Sequence, residues 1–164
     1  MLAARQALAA SRLGGGVTRL VPLLIFERLR IMSETTAGSL HVFVYGTLRR
    51  GGSNDIRRLA PAPRWVGDAV LAGTLYDLGA YPGLVLGGAT GVRGEVYAIA
   101  PALLAVLDEI EEVYPQRSGE YLRREVQVQV AGASLACQCY VLSPARAVGR
   151  RVIASGDWML QGCG

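Results

Sequence analysis

The chain predicts an α+β fold in which short strands gather around one main helix and close in part into a small barrel. Three observations carry this expectation. Residues Tyr121–Val130 alternate cleanly, with Val126, Val128 and Val130 on one face and Gln127 and Gln129 on the other. Gly- and Pro-containing turns recur throughout, at Tyr81-Pro82-Gly83, Gly87-Gly88 and Ala131-Gly132-Ala133. Only Pro101 to Glu112 has a convincing helical period, with Pro at its first position.

The elements follow in order. Leu40–Tyr45 predicts a strand that ends at Gly46. Ser53-Asn54 offers a cap for a short helix through Leu59, stopped by Pro61 and Pro63. Trp65–Leu78 alternates loosely and predicts one or two strands, Ala69–Leu71 and Thr74–Tyr76. After the Tyr81-Pro82-Gly83 turn, Leu84–Leu86 predicts a short apolar strand, and Gly87-Gly88 a further turn. Val92–Ile99 is a strand whose Gly94 signals a bulge or a close neighbour. Leu135–Leu142 pairs with Tyr121–Val130 through the intervening turn, and Ser155–Trp158 belongs to a short tail.

At 164 residues the chain is long enough for one domain with a substantial core. Its longest apolar run, Leu20–Phe26, is far short of the roughly 18 to 20 residues of a membrane span, so no membrane association is expected. All 17 basic residues are Arg. Residues 1–31 hold five of them against Glu27 alone, while residues 32–164 balance 12 Arg against 12 acids. The formal charge of +4 therefore resides wholly in the first segment, and nucleic acid is not expected as a partner of the folded part. Residues 1–39 are expected to form an extension, either disordered or upstream of a true start at Met32, and residues 40–160 to form the domain. The Arg-rich, Lys-free usage suggests a bacterial source. Three cysteines, Cys137, Cys139 and Cys163, argue for a reducing cytoplasm over a disulfide framework. Cys137 and Cys139 share one strand face and read better as small core residues than as metal ligands. No metal and no cofactor are expected.

Two features carry chemistry. The strand Val42–Tyr45 runs into Gly46-Thr47-Leu48-Arg49-Arg50-Gly51, a turn whose free backbone N–H groups could hold a carboxylate or an oxyanion. It is neither a P-loop nor a dinucleotide fingerprint, because the required glycine spacings are missing. The second feature is an acid on an apolar face. At about 100° per residue, Leu103, Leu107 and Ile110 define the helix's apolar stripe, and Asp108, Glu109 and Glu112 fall on the far side. Glu111 lands between Leu107 and Leu104. Periodicity leaves two readings open: a boundary carboxylate that reaches water or an Arg, and a pocket-facing general acid/base with a raised pKa.

Taken together, Tyr45-Gly46-Thr47-Leu48-Arg49-Arg50-Gly51 with Asn54, Tyr76-Asp77-Leu78, Tyr81-Pro82-Gly83, Gly94-Glu95-Val96-Tyr97, Leu107–Glu111, Tyr121-Leu122-Arg123 and Ser155-Gly156-Asp157-Trp158 resemble the gamma-glutamyl cyclotransferase-like superfamily. The resemblance covers about residues 41–158 and is closest to the gamma-glutamylamine cyclotransferase branch. It implies a mixed β-barrel with flanking helices and an enzyme that releases 5-oxoproline from a gamma-glutamyl compound. In that chemistry the substrate's own α-amine attacks its γ-carbonyl, with no protein nucleophile. Glu111 matches the family's catalytic glutamate. The N–H groups of Tyr45, Gly46, Thr47 and Leu48 would hold the glutamyl end, with Gly46 required because a Cβ would crowd the ligand. Tyr121 would line the pocket, its hydroxyl orienting Glu111 or the substrate. Arg123 lies on the same strand face as Tyr121 and is a structural partner for an acid or a ligand contact. Glu112 stands where the family often has Gly, which is expected to alter the turn at the pocket mouth.

The competing reading is a non-catalytic module that binds a small carboxylate metabolite in the same pocket. The leaving amine and the oligomeric state are not legible, nor is whether Arg49, Arg50, Arg57 and Arg58 form a substrate-attracting patch or a solvated surface.

Overall fold

In the computed structural model, residues 40–112 and 119–161 are described. The expected N-terminal extension, Val113–Pro115 and Cys163 lie outside them.

Among the described residues six strands form one sheet: β1 (Leu40–Val44), β2 (Arg64–Asp77), β3 (Pro82–Ile99), β4 (Tyr121–Val130), β5 (Ala133–Leu142) and β6 (Arg151–Val152). Their order is β4-β5-β1-β3-β2-β6. The β1–β5 pair is parallel and the other neighbours are antiparallel, so the sheet is mixed. Among the described residues two helices accompany it, α1 (Pro101–Ile110) and the short α2 (Pro144–Ala147). The fold is α+β, as predicted. The sheet curls until β2 meets β4, with Gly67 against Val130, but no hydrogen-bonded pairing joins these strands among the described residues. The barrel is therefore open at that seam.

Both faces of β1 are buried from Val42 to Val44, where the strand is wholly apolar. Val42 and Val44 pack with Leu103 and Leu107 of α1, and with Tyr97, Ile99, Tyr121, Tyr140 and Leu142. Phe43 and Tyr45 point to the other side, into the curl of the sheet, with Leu71, Leu75, Val96, Val126, Val128 and Val130. Cys137 and Cys139 are fully buried in this second core, as the packing reading anticipates. The alternation of β4 is as predicted, with Val126, Val128 and Val130 inward.

Several boundaries differ from the expectation. Residues 64–77 form one strand bent by bulges at Trp65/Gly67 and Ala72/Gly73. Gly87-Gly88 does not reverse the chain. Ala72 pairs with Gly91 and Gly73 with Leu86, so residues 87–90 bulge from a continuous β3. Both glycines take positive φ, at 90° and 99°, which permits the bulge without a Cβ clash. The expected helix after Ser53-Asn54 is a single 3-10 turn, Ile56–Arg58, capped by Asp55 through the Arg57 N–H. In α1, Ile110 is 39 % exposed, whereas Asp108 is drawn inward. The stripe turns off the core in the last helical turn because a cavity, not packed protein, faces Ile110.

Candidate active site

The end of β1 and the end of α1 open onto one cavity of about 330 Å³. Tyr45, Gly46, Thr47, Leu48, Glu111 and Tyr121 all line it, together with Ser53, Asn54, Tyr81, Pro82, Glu120 and Tyr140 among others. The sequence singles out the first six for function. It gives no functional signal for Tyr140, which reads as one more apolar position on a core strand.

The loop after β1 is held by its carbonyl groups. Those of Gly46, Thr47 and Leu48 accept from Arg49 N (3.0 Å), Asn54 N (3.0 Å) and Ile56 N (3.0 Å). The Asn54 side chain adds a bond to Thr47 Oγ1 at 3.3 Å. Among the described residues, no acceptor takes the N–H groups of Gly46, Thr47 or Leu48. Successive unclaimed amides beside a cavity form an anion-binding concavity. The neighbour that a Cβ on Gly46 would meet is the Pro82 ring, at 2.7 Å. The residue type there is thus fixed by packing against the pocket wall, a reason different from the expected crowding of a ligand.

Two tyrosines make the wall rigid. The Tyr45 hydroxyl donates to the Tyr140 carbonyl at 2.8 Å and accepts from Leu84 N at 3.2 Å, joining β1, β5 and β3. Burial pushes this phenol well above its ordinary range. Tyr121 donates its proton to the Pro82 carbonyl at 2.7 Å. Its hydroxyl is thus committed to the wall and does not donate to Glu111.

Glu111 is the C-terminal cap of α1, its N–H bonded to Leu107 O at 3.0 Å. Its carboxyl has no hydrogen-bond or ion-pair partner among the described residues. Part of it remains accessible through the cavity, but the surrounding protein desolvates it. That burial, followed by the nearby Glu120 charge, raises its pKa to about 7. A helix C-terminus also disfavours a carboxylate, which acts in the same direction. One turn earlier, Asp108 accepts from Tyr140 OH at 2.7 Å and Arg123 Nη1 at 2.5 Å. This is a correction to the solvated face expected for Asp108, and it assigns Arg123 to an acid. The two bonds fasten the last turn of α1 to β4 and β5, which sets the direction of Glu111.

Glu112 has a φ of 51°, the left-handed conformation in which a helix normally ends on glycine. The Arg residues of the loop also divide. Arg49 pairs with Glu95 and Asp157, and Arg57 with Asp55, while Arg50 and Arg58 are exposed. None of the four lines the cavity.

Comparison with known proteins places this architecture. Residues 42–160 match the family model described as gamma-glutamyl cyclotransferase, AIG2-like. The chain is 38 % identical over 128 residues to the gamma-glutamylcyclotransferase family protein YtfP of Escherichia coli K12, covering 73 % of this chain and 96 % of that one. The solution structure of E. coli YtfP superposes with a TM-score of 0.53 at 37 % identity, over 73 % of this chain and 96 % of that chain. The crystal structure of an AIG2-like protein from Mus musculus gives 0.58 at 28 % identity, over 69 % and 84 %. The chain belongs to the gamma-glutamyl cyclotransferase family, in its AIG2-like group, and is an enzyme of that class. Among the described residues no helix is long and apolar enough to cross a membrane.

Proposed function

We propose that the protein releases 5-oxoproline from a gamma-glutamyl amine or related gamma-glutamyl compound. The supporting observation is an unpaired carboxyl, raised to about 7, facing the same cavity as the unclaimed amides of Gly46, Thr47 and Leu48. The loop amides hold the anionic glutamyl end in the cavity beside Glu111. The α-amine and the γ-carbonyl belong to one molecule, which removes much of the entropic barrier. Ionised Glu111 accepts a proton from the α-ammonium. The freed amine attacks the γ-carbon and forms the ring C–N bond, and the ring nitrogen, which then carries one proton more than a lactam holds, releases it to water. Glu111 then returns the proton to the leaving nitrogen as the original amide C–N bond breaks. The products are 5-oxoproline and the free amine, and Glu111 ends as it began. A carboxyl with a pKa near the working pH serves both transfers.

The test is 5-oxoproline release from a panel of gamma-glutamyl amines, gamma-glutamyl amino acids and glutathione, with Glu111→Gln as control. Release that depends on Glu111 supports the reading, and the preferred panel member identifies the leaving amine. Undiminished release by Glu111→Gln would overturn the assigned proton shuttle. Ligand-induced thermal stabilisation without product would favour a binding role.

A further inference from the structure

Two sequence motifs, Gly94–Tyr97 and Ser155–Trp158, have no role in the chemistry above. The fold brings both beneath the glycine loop. Gly94 abuts the end of β1, where a Cβ would overlap the Phe43 ring and the Val44 carbonyl. This close approach lets Glu95 pair with Val44, the last residue of β1. The Glu95 side chain is 3 % exposed. Its Oε2 accepts from Arg50 N at 3.0 Å and Tyr97 OH at 2.7 Å, and its Oε1 from Arg49 Nε at 3.4 Å. Arg49 Nη1 reaches Asp157 Oδ1 at 2.7 Å, and that same oxygen accepts from Met159 N at 3.0 Å. Gly156 secures the tail beside β3. Its carbonyl accepts from Arg93 N at 2.8 Å, and a Cβ there would overlap the Gly91 carbonyl.

We propose that Glu95 is a positioning residue for substrate recognition, which, through Arg49 and the Arg50 backbone, fixes the amides of Gly46, Thr47 and Leu48 in their anion-binding arrangement. The proposal rests on the reading of that loop as the glutamyl site. The geometry favours it over a direct role, because neither Glu95 nor Arg49 lines the cavity. Arg49 spends its charge on two carboxylates, so its function is to hold the loop backbone. A buried carboxylate saturated by donors is a rigid anchor, and charge-assisted bonds to it are among the stronger ones available. An amide array that binds substrate and transition state alike governs KM more than kcat.

Glu95→Gln tests this, since it keeps the shape but turns one Glu95 oxygen from acceptor to donor. Losing one such bond should speed exchange of the bonded loop amides, Arg49, Arg50, Asn54 and Ile56, by about tenfold relative to β4 and β5, and raise KM by about tenfold. The value of kcat should stay within about threefold, and the midpoint near pH 7 of the pH profile should not move. Asp157→Asn, at the less buried end, should give the same pattern more weakly and serves if Glu95→Gln fails to fold. Unchanged loop exchange in either folded variant would overturn the proposal, as would a fall in kcat with KM unmoved. Exchange rising uniformly across the molecule would also overturn it, as a purely structural effect. If the wild-type protein released no 5-oxoproline, the functional reading would fall, and the exchange comparison would still decide the anchoring.

Discussion

Glu95 and Glu111 are both carboxylates withdrawn from bulk water, and their surroundings are opposite. Glu95 sits behind the pocket wall with donors on both oxygens: a guanidinium, a backbone N–H and a phenol. Glu111 faces the cavity with no donor among the described residues. Desolvation disfavours a carboxylate unless hydrogen bonds replace the lost water. Where they do, as at Glu95, the charge is spent on holding chain segments together. Where they do not, as at Glu111, the proton is retained to about pH 7 and is available for transfer.

The largest expected effects come from breaking each acid. Glu111→Gln should reduce 5-oxoproline release by about a thousandfold, in the usual range for a general acid/base. It should also remove a pH dependence of stability. The folded protein holds this proton up to about pH 7, while the unfolded chain releases it near 4.5. Between those values the unfolded state binds fewer protons, so wild-type stability falls as pH rises through the window. At about 1.4 kcal/mol per pH unit the loss reaches about 3 kcal/mol above pH 7. Urea unfolding at pH 5 and pH 8 should show this slope in the wild type and a flatter one in Glu111→Gln. At Glu95 the full truncation Glu95→Ala leaves Arg49 and the Tyr97 hydroxyl without their buried partner. It should cost about 3 to 5 kcal/mol by urea titration.

Smaller effects sharpen the contrast. Asp108 is a third acid, one turn from Glu111, and resembles Glu95 in being paired. Asp108→Asn should cost about 1 to 3 kcal/mol, and a double-mutant cycle with Arg123→Gln should reveal their coupling. Glu112→Gly relieves a left-handed φ of 51° and should stabilise by about 1 kcal/mol, measured as a higher Tm. The exposed Asp77–Arg151 pair marks the lower limit: Asp77→Asn should leave the urea midpoint unmoved, because solvent screens such pairs.

Much of the site was legible because it depends on local periodicity. A 3.6-residue repeat is enough to place Glu111 among leucines, and a strand that breaks at a glycine is enough to mark the loop. The same angular argument put Asp108 in solvent and Ile110 in the core, and both came out otherwise. Periodicity assigns a residue to one side of its own helix, but not to what lies opposite. There, Tyr140 and Arg123 draw Asp108 inward, and the cavity leaves Ile110 open. In β3 the Gly87-Gly88 signal was a true backbone irregularity whose outcome depended on the partner strand. Pairing with β2 on both sides made it a bulge where an isolated segment would turn.

Local pattern specifies the α+β class, the alternating β4–β5 hairpin, the apolar end of β1 at Val42–Val44, the glycine loop and the odd acid on α1. Each follows from residue spacing over one element. Folding brings Arg49 to Glu95 and Asp157, which lie 46 and 108 residues further along the chain. It also committed the Tyr121 proton to Pro82 and left Glu111 desolvated without a partner. Charge and hydrogen-bonding capacity are written in the chain, but desolvation and pairing depend on neighbours that only folding supplies.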